Sequence, residues 1–321
     1  MLMKNKLISD LKKNIPPSNV LDTLEERYAY AQDATNIRKI KNLPDAVVFV
    51  ENVEQVQKVV RLANKYKIPV ICRGAGTNVV GACVVEHGGI ILNFSKMNKI
   101  ISISKENMTA IVEPGVVLGD LQKEVEKLGL FYPPDPSNLA VSTIGGSIAQ
   151  SSGGAKSFKY GTTKDYVIDL KVVMANGEIL RTGAKTIKNA TGYNLNTLFV
   201  GSEGTLGIVV EAVLKLIPKP QSKKVLMAYF DSVKDSVVAV NSLIEQRIFP
   251  ATIDFMDKNA IQTVERFYPA NLLTDKEAAL VIEIDGFECS MQYQEDIIIN
   301  ILNDCHASAI RASHNEEEYN A

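Results

Sequence analysis

No two of the four cysteines, Cys72, Cys83, Cys289 and Cys305, form a CxxC pair, so spacing supports neither a zinc knuckle nor a cysteine-ligated iron-sulfur cluster. Free thiols in a reducing cytosol are the plain reading. Histidine is equally scarce. His306 and His314 have no acidic or histidine partner at a ligand spacing, and His87 sits in the turn-like Glu86-His87-Gly88-Gly89, so no metal site is expected. There is no excess of one charge either: Lys+Arg number 35, Asp+Glu 37, and the net charge is −2. Without a basic run the chain offers neither a nucleic-acid footprint nor a polybasic membrane patch. No stretch approaches the ~20 apolar residues that span a bilayer, and the opening MLMKNKLISDLKKNIPP is too rich in lysine to be a signal core. The expected location is cytoplasmic, at most peripheral to the inner face of the membrane. No repeat at periods of about 20 to 50 residues points to a solenoid or propeller.

What is present is a globular composition, 46% hydrophobic and 22% charged over 321 residues, long enough for two domains. Residues 1–43 read as a helical lead-in. Strand Ala46–Val50, helix Val53–Lys67 with its apolar stripe Val53, Val56, Val59, Val60, Ala63 and Tyr66, and strand Ile68–Ile71 then form a β-α-β opening. Strands follow at Ile90–Phe94 and Thr109–Glu113, with a helix from Val117 to Leu128 that Gly129 can end in the left-handed conformation. Strand Tyr166–Met174, the Asn176-Gly177 hairpin signal and Ile179–Thr182 come next, and strand Gly207–Ile217 closes the body.

The prolines of Ile217-Pro218-Lys219-Pro220 mark a boundary. Residues 221–321 then alternate strand Lys224–Phe230, helix Ser232–Gln246, strand Ala251–Phe255, helix Asn259–Phe267, strand Ala278–Asp285, helix Met291–Asn303 and strand Ala307–Ala312. That order suits a ferredoxin-like antiparallel sheet with helices on one face. The fold class is α+β: a body over 44–220 and a second α+β unit after it.

Three segments carry chemistry. Arg73-Gly74-Ala75-Gly76-Thr77-Asn78 follows a strand, where glycines allow close backbone approach and amides can converge on an anion. Val79 stands where a dinucleotide fingerprint needs its third glycine, and a simple tight turn would explain this piece alone equally well. Between Tyr132 and Gly161 lies a long, apolar, glycine-rich loop, with Pro133-Pro134-Asp135-Pro136, Ser142-Thr143-Ile144-Gly145-Gly146 and Ser152-Gly153-Gly154. A loop of that length inside a compact domain usually has a job. Gly201-Ser202-Glu203-Gly204-Thr205-Leu206-Gly207-Ile208-Val209 precedes a strand and lacks the Gly-Lys-Ser/Thr of a P-loop.

In this order and at these separations, the three segments resemble the FAD-binding body of the vanillyl-alcohol oxidase and p-cresol methylhydroxylase (PCMH-type) superfamily, nearest the glycolate oxidase D-subunit and D-lactate dehydrogenase branch. The likeness runs from about Pro44 to Pro220 and continues more weakly beyond. It implies a PCMH-type body of two α/β subdomains followed by a partial ferredoxin-like cap. It also implies that Arg73, Gly74, Gly76, Thr77 and Asn78 hold the FAD pyrophosphate. Pro134, Asp135, Ser142, Thr143, Gly145, Gly146, Gly153, Gly154, Tyr160 and Gly161 map to the flavin and ribityl side, and Glu203, Gly204, Gly207, Ile208 and Val209 to the adenine half. Some relatives attach the flavin through a histidine beside the first loop, and Arg73–Val80 contains none, so FAD is expected to bind noncovalently. Thr191-Gly192-Tyr193-Asn194 falls where the family has Gly-Tyr-Asp, with the charge removed.

The implied activity is FAD-dependent oxidation of a small D-2-hydroxy acid, D-lactate or glycolate, to the 2-oxo acid. Electrons would pass to an acceptor such as a quinone, an iron-sulfur subunit or an electron-transfer flavoprotein. Family members continue past the point where this chain ends, at Glu316–Ala321, with a histidine- and acid-rich cluster. The resemblance therefore implies a truncated chain with no assignable catalytic residues, through a chain cut short, a split gene or a natural short subunit, of which the first two suit a cap that stops in mid-pattern. The alternatives are a noncatalytic FAD-binding subunit of a glycolate oxidase-like complex and a cell-wall-precursor reductase, the latter disfavoured by the pattern from Lys224 onward.

Overall fold

A computed structural model describes residues 2–35 and 42–313. The end of the predicted lead-in, His314 and the stretch from Glu316 to Ala321 lie outside them. The chain divides into two units, one of residues 1–132, 136–152 and 162–218, the other of 133–135, 153–161 and 219–321.

The first unit begins with helix α1 (Leu2–Asn14), the two-residue strand β1 (Val20–Leu21) and helix α2 (Leu24–Ala29), followed by β2 (Ala46–Phe49), α3 (Val53–Tyr66), β3 (Val70–Arg73) and β4 (Ile90–Asn93). The sheet order is β1-β2-β4-β3, with β2, β4 and β3 parallel and β1 antiparallel at the edge. Helix α3 forms where the stripe predicts it. Asn52 caps it by accepting from the Gln55 amide, and Val56, Val59, Val60 and Ala63 are buried at the spacing of one helix face. Leu7, Leu11 and Ile15 of the N-terminal segment share that core with Val48, Ile90 and Leu92. Residues 2–35 are thus part of the first layer, and β1 is a strand that the sequence pattern does not reveal.

A second sheet, entirely antiparallel, has the order β5-β6-β10-β8-β9, with β5 Ile100–Ser104, β6 Thr109–Val112, β8 Val167–Val173, β9 Ile179–Arg181 and β10 Ile208–Lys215. Helix α4 (Leu118–Glu126) leads to β7 (Leu130–Phe131), which pairs with β11 (Ile217–Pro218). Gly129 takes φ +74° as expected. The β8–β9 hairpin differs from its expected two-residue turn. Met174 donates to the Glu178 carbonyl and Gly177 to that of Met174, and only Gly177 is left-handed, so the loop is the three-residue form. Helix α5 (Ile144–Gln150) is capped by Thr143, and α6 (Ser157–Tyr160) and α7 (Asn196–Phe199) are single turns.

The second unit runs β12 (Ser222–Phe230), α8 (Val233–Glu245), β13 (Thr252–Asp257), α9 (Lys258–Phe267), β14 (Ala278–Gly286), α10 (Glu288–Asp304) and β15 (Ala309–Ala312). The sheet is antiparallel in the order β13-β14-β12-β15, the α+β arrangement expected. One feature is corrected: the helices do not all share a face. Leu226, Leu280 and Ile282 pack with Leu243 of α8 and Ile298 of α10, whereas Tyr229 and Ala279 point to the other side and pack with Ile261 of α9. Because β14 is covered on both faces, its sequence is a nearly continuous apolar run. Among the described residues no helix is long and apolar enough to cross a membrane.

Candidate functional site

The first unit holds an open cavity, part of it continuous with solvent. Its wall collects Arg73 at the end of β3 and Gly74, Gly76, Thr77 and Asn78 after it, Ser142, Thr143, Gly145 and Gly146 at the start of α5, and Glu203, Gly204, Gly207, Ile208 and Val209 ahead of and within β10. These predicted site residues come together although up to 136 positions separate them. Pro134, Asp135, Gly153, Gly154, Tyr160 and Gly161 do not join this wall and belong to the second unit. The wall also includes Asn138, Ser147, Gln150 and Ser152, which are not among the expected site residues.

Close backbone packing explains the glycines. A Cβ at Gly74 would collide with Thr143 Oγ1, the atom that accepts from the Gly146 amide at 3.3 Å. At Gly76, with φ +72°, it would strike the Arg73 guanidinium. That guanidinium turns back along its own loop: Nη1 donates to the Gln32 carbonyl at 2.6 Å, and the group lies over the Tyr30 ring at 5.5 Å. Asn138 Nδ2 reaches the Thr77 carbonyl at 3.5 Å and ties the second segment to the first. Glu203 is left-handed at φ 53° beside Gly204 at φ 77°, a backbone kink placed where the third segment turns into the wall.

Two hydroxyls of this wall, Ser142 Oγ and Ser147 Oγ, are buried with no hydrogen-bond partner. A buried polar atom without a partner is costly, so the wall is chemically suited to a polar ligand that supplies one. Cys72 and Cys83 also line it. Burial pushes both thiols up, that of Cys72 to about 12, which keeps them protonated and poor as nucleophiles.

The second unit contains a separate group of charges. Lys156 donates to Asp135 Oδ2 at 3.3 Å and lies 3.6 Å from Glu283, with all three side chains at most 21% exposed. Burial opposes the Lys156 charge, but the two carboxylates outweigh it and hold its pKa above the ordinary value, whereas burial of Asp135 beside a single lysine raises its carboxyl. Asp285 accepts from both Lys159 Nζ and Tyr160 Oη, the latter at 2.7 Å. Phe158 stacks on Phe249 at 5.7 Å. The sequence gives no signal for the Asp285 pairs, since Lys159 and Tyr160 lie 126 and 125 residues away from it. Tyr193 is 92% exposed, and His87 and His306 are on the surface. Among the described residues no group of His, Cys, Asp and Glu could hold a metal ion.

Comparison with known proteins matches residues 44–183 to the model of an FAD binding domain and 219–321 to that of the C-terminal domain of FAD linked oxidases. The glycolate oxidase subunit GlcD of Bacillus subtilis is 42% identical over 302 residues, 94% of this chain and 64% of that protein. The D-lactate dehydrogenase of Anaerostipes hadrus is 39% identical over 292 residues, 89% of this chain and 61% of that one. The chain thus spans somewhat less than two thirds of the length of these relatives. Among solved structures, alkyldihydroxyacetonephosphate synthase superposes with a TM-score of 0.84 at 24% identity, over 98% of this chain and 63% of that one. p-Cresol methylhydroxylase superposes with a TM-score of 0.79 at 21% identity, over 97% and 66%. These superpositions establish the shared fold.

Proposed function

Because the chain belongs to the FAD-linked oxidases, with an FAD-binding domain followed by the C-terminal domain of that family, we propose that it is the FAD-carrying part of an oxidoreductase that converts a small D-2-hydroxy acid to the 2-oxo acid. D-Lactate and glycolate are the substrates that the named relatives suggest. The observation that carries this reading is the cavity wall, where two glycine-rich segments and the start of α5 converge around two buried serine hydroxyls that lack partners.

FAD fits that wall. The amides of Gly74–Asn78 suit a diphosphate, which backbone donors in a glycine-rich turn can surround at close range. Ser142 and Ser147 would donate to it or to the ribityl chain, and Glu203 to Val209 would hold the adenine half. Pro134, Asp135, Gly153, Gly154, Tyr160 and Gly161 are assigned to the flavin side by family likeness. Arg73–Val80 has no histidine, so the binding is noncovalent. When bound, FAD supplies the two-electron acceptor for the hydride leaving C2. Oxidation further requires a base for the hydroxyl proton and a clamp for the carboxylate, and neither role is assigned to a residue of this chain.

Electrons would pass on to a protein or quinone acceptor, with the protein inside the cell or at the inner face of the membrane. A second reading, an FAD-binding subunit without its own turnover, is favoured by relatives named as subunits of glycolate oxidase. Visible spectra of the purified chain with FAD, before and after anaerobic D-lactate or glycolate, separate the two. Bleaching of a protein-bound flavin band is the outcome for an oxidising chain, and a stable band is that for a carrier. Absence of any bound flavin would overturn the assignment.

A further inference from the structure

The residues between α2 and the phosphate-binding loop do more than connect. The segment Tyr30–Thr35 grips the loop at three places. At its start, Arg73 Nη1 donates to the Gln32 carbonyl at 2.6 Å and the guanidinium lies over Tyr30. In the middle, the Ala34 amide donates to the Gly76 carbonyl at 3.0 Å. At its far end, Asp33 Oδ2 accepts from the Cys83 amide at 3.1 Å while Oδ1 accepts from the Thr35 amide at 3.0 Å. Within the loop, Asn78 Oδ1 accepts from the amides of Val80 and Ala82, and Asn78 Nδ2 reaches Cys83 Sγ at 3.5 Å. The Asp33 carboxylate also meets the Asn78 side chain directly, so it is tied to the cavity wall through both Cys83 and Asn78.

We infer that Asp33 is a positioning residue for the diphosphate-binding loop, an inference that rests on the FAD reading above. Asp33 does not line the cavity, whereas Asn78 and Cys83 do, so it acts through the loop and not on the ligand. Gly74 and Gly76 leave the loop amides with much conformational freedom, and a ligand held by backbone amides is bound tightly only if they already converge. A carboxylate that takes one amide from each side supplies the tie. Burial opposes its ionisation, but the hydrogen bonds from Thr35 and Cys83 outweigh burial and keep the carboxyl below its ordinary value.

The inference makes a signed prediction, because an acid close to a diphosphate should by charge alone weaken binding. If Asp33 matters only through its charge, Asp33→Asn tightens FAD binding; if it positions the loop, both Asp33→Asn and Asp33→Ala weaken it. FAD titrations of the full chain, followed by quenching of flavin fluorescence, should show a dissociation constant raised roughly tenfold or more for Asp33→Ala, the loss of a hydrogen bond to a charged group. Amide exchange in the FAD-free chain should quicken over residues 73–83 and stay unchanged in β2 and β4. Equal or tighter FAD binding in both variants would overturn the inference. Should the unaltered chain bind no FAD, the functional reading fails by itself. Loop exchange in Asp33→Asn then decides the tie: faster exchange upholds it and unchanged exchange overturns it. Asp33→Asn keeps the size of the side chain and carries the test if Asp33→Ala does not fold.

Discussion

Replacing Asp285 with alanine should unfold the second unit well before the first. The carboxylate is 4% exposed and accepts from Lys159 Nζ and Tyr160 Oη, while the Asp285 backbone carbonyl accepts from the same Nζ at 2.9 Å. Breaking a fully buried ion pair costs about 3–5 kcal/mol, because the surviving charge stays buried without its partner. Here Lys159 keeps 28% of its side chain exposed and retains the backbone carbonyl, so water recovers part of that cost. Tyr160 also loses a bond to a charged acceptor, worth about 1.5–3 kcal/mol. Together these place the loss near 3 kcal/mol, toward the lower end of the buried range. The chain has no tryptophan, so a Tyr293→Trp reporter on the exposed side of α10 can follow urea unfolding of this unit alone. A cycle of Lys159→Met, Asp285→Ala and the double variant should give a coupling energy of about 1.5–3 kcal/mol. A coupling below about 0.5 kcal/mol, the value of a surface pair, would refute the idea that this carboxylate anchors residues 153–161.

Two further expectations concern the first unit. Asp10 accepts from Tyr66 Oη at 2.7 Å and Lys65 Nζ at 2.9 Å, and these donors pull its carboxyl down to about 2. A carboxyl lowered in the folded state contributes stability above its unfolded value, and that stability is lost as pH falls toward the folded value. Thermal midpoints should therefore decline between about pH 4 and pH 2, less steeply in Asp10→Asn, and equal slopes would assign the acid sensitivity elsewhere. Gly74→Ala should push Thr143 out of its capping position, lowering stability by about 1 kcal/mol and FAD affinity by roughly tenfold or more; a flavin titration that matched the unaltered chain would remove this loop from the binding site.

Legibility in the sequence followed the range of the interactions. Helix α3 is legible because its apolar stripe is local, whereas α5 lies inside what the sequence shows as a long glycine-rich loop. The strand and helix order of the second unit was visible from periodicity alone. β1, β7 and β11 were not, since a two-residue strand exists only through the partner that pairs with it. α9 departs from the expectation of helices on one face, and the nearly unbroken apolar run of β14 is the clue that both faces are covered. At the site, glycine patterns announced the cavity wall, because close backbone approach demands glycine whatever the partner. Asp33 and its Cys83 contact, 50 residues apart, and Lys156 with Glu283 left no local trace, for ordinary acids and lysines look alike until the fold selects a few of them.

The second unit draws on three stretches of chain, and this sets an order of events during synthesis. Lys159 is made 126 residues before the Asp285 that will hold it. At about 5–20 residues per second, roughly 6 to 25 s pass before that partner emerges. For most of that interval Phe158 lacks the ring of Phe249, and until near its end Lys156 lacks the carboxylate of Glu283, while the sheet around α3 can already close. The nascent protein thus carries a folded first layer with a stretch of loop left waiting, and that stretch is where a chaperone or a protease would find it.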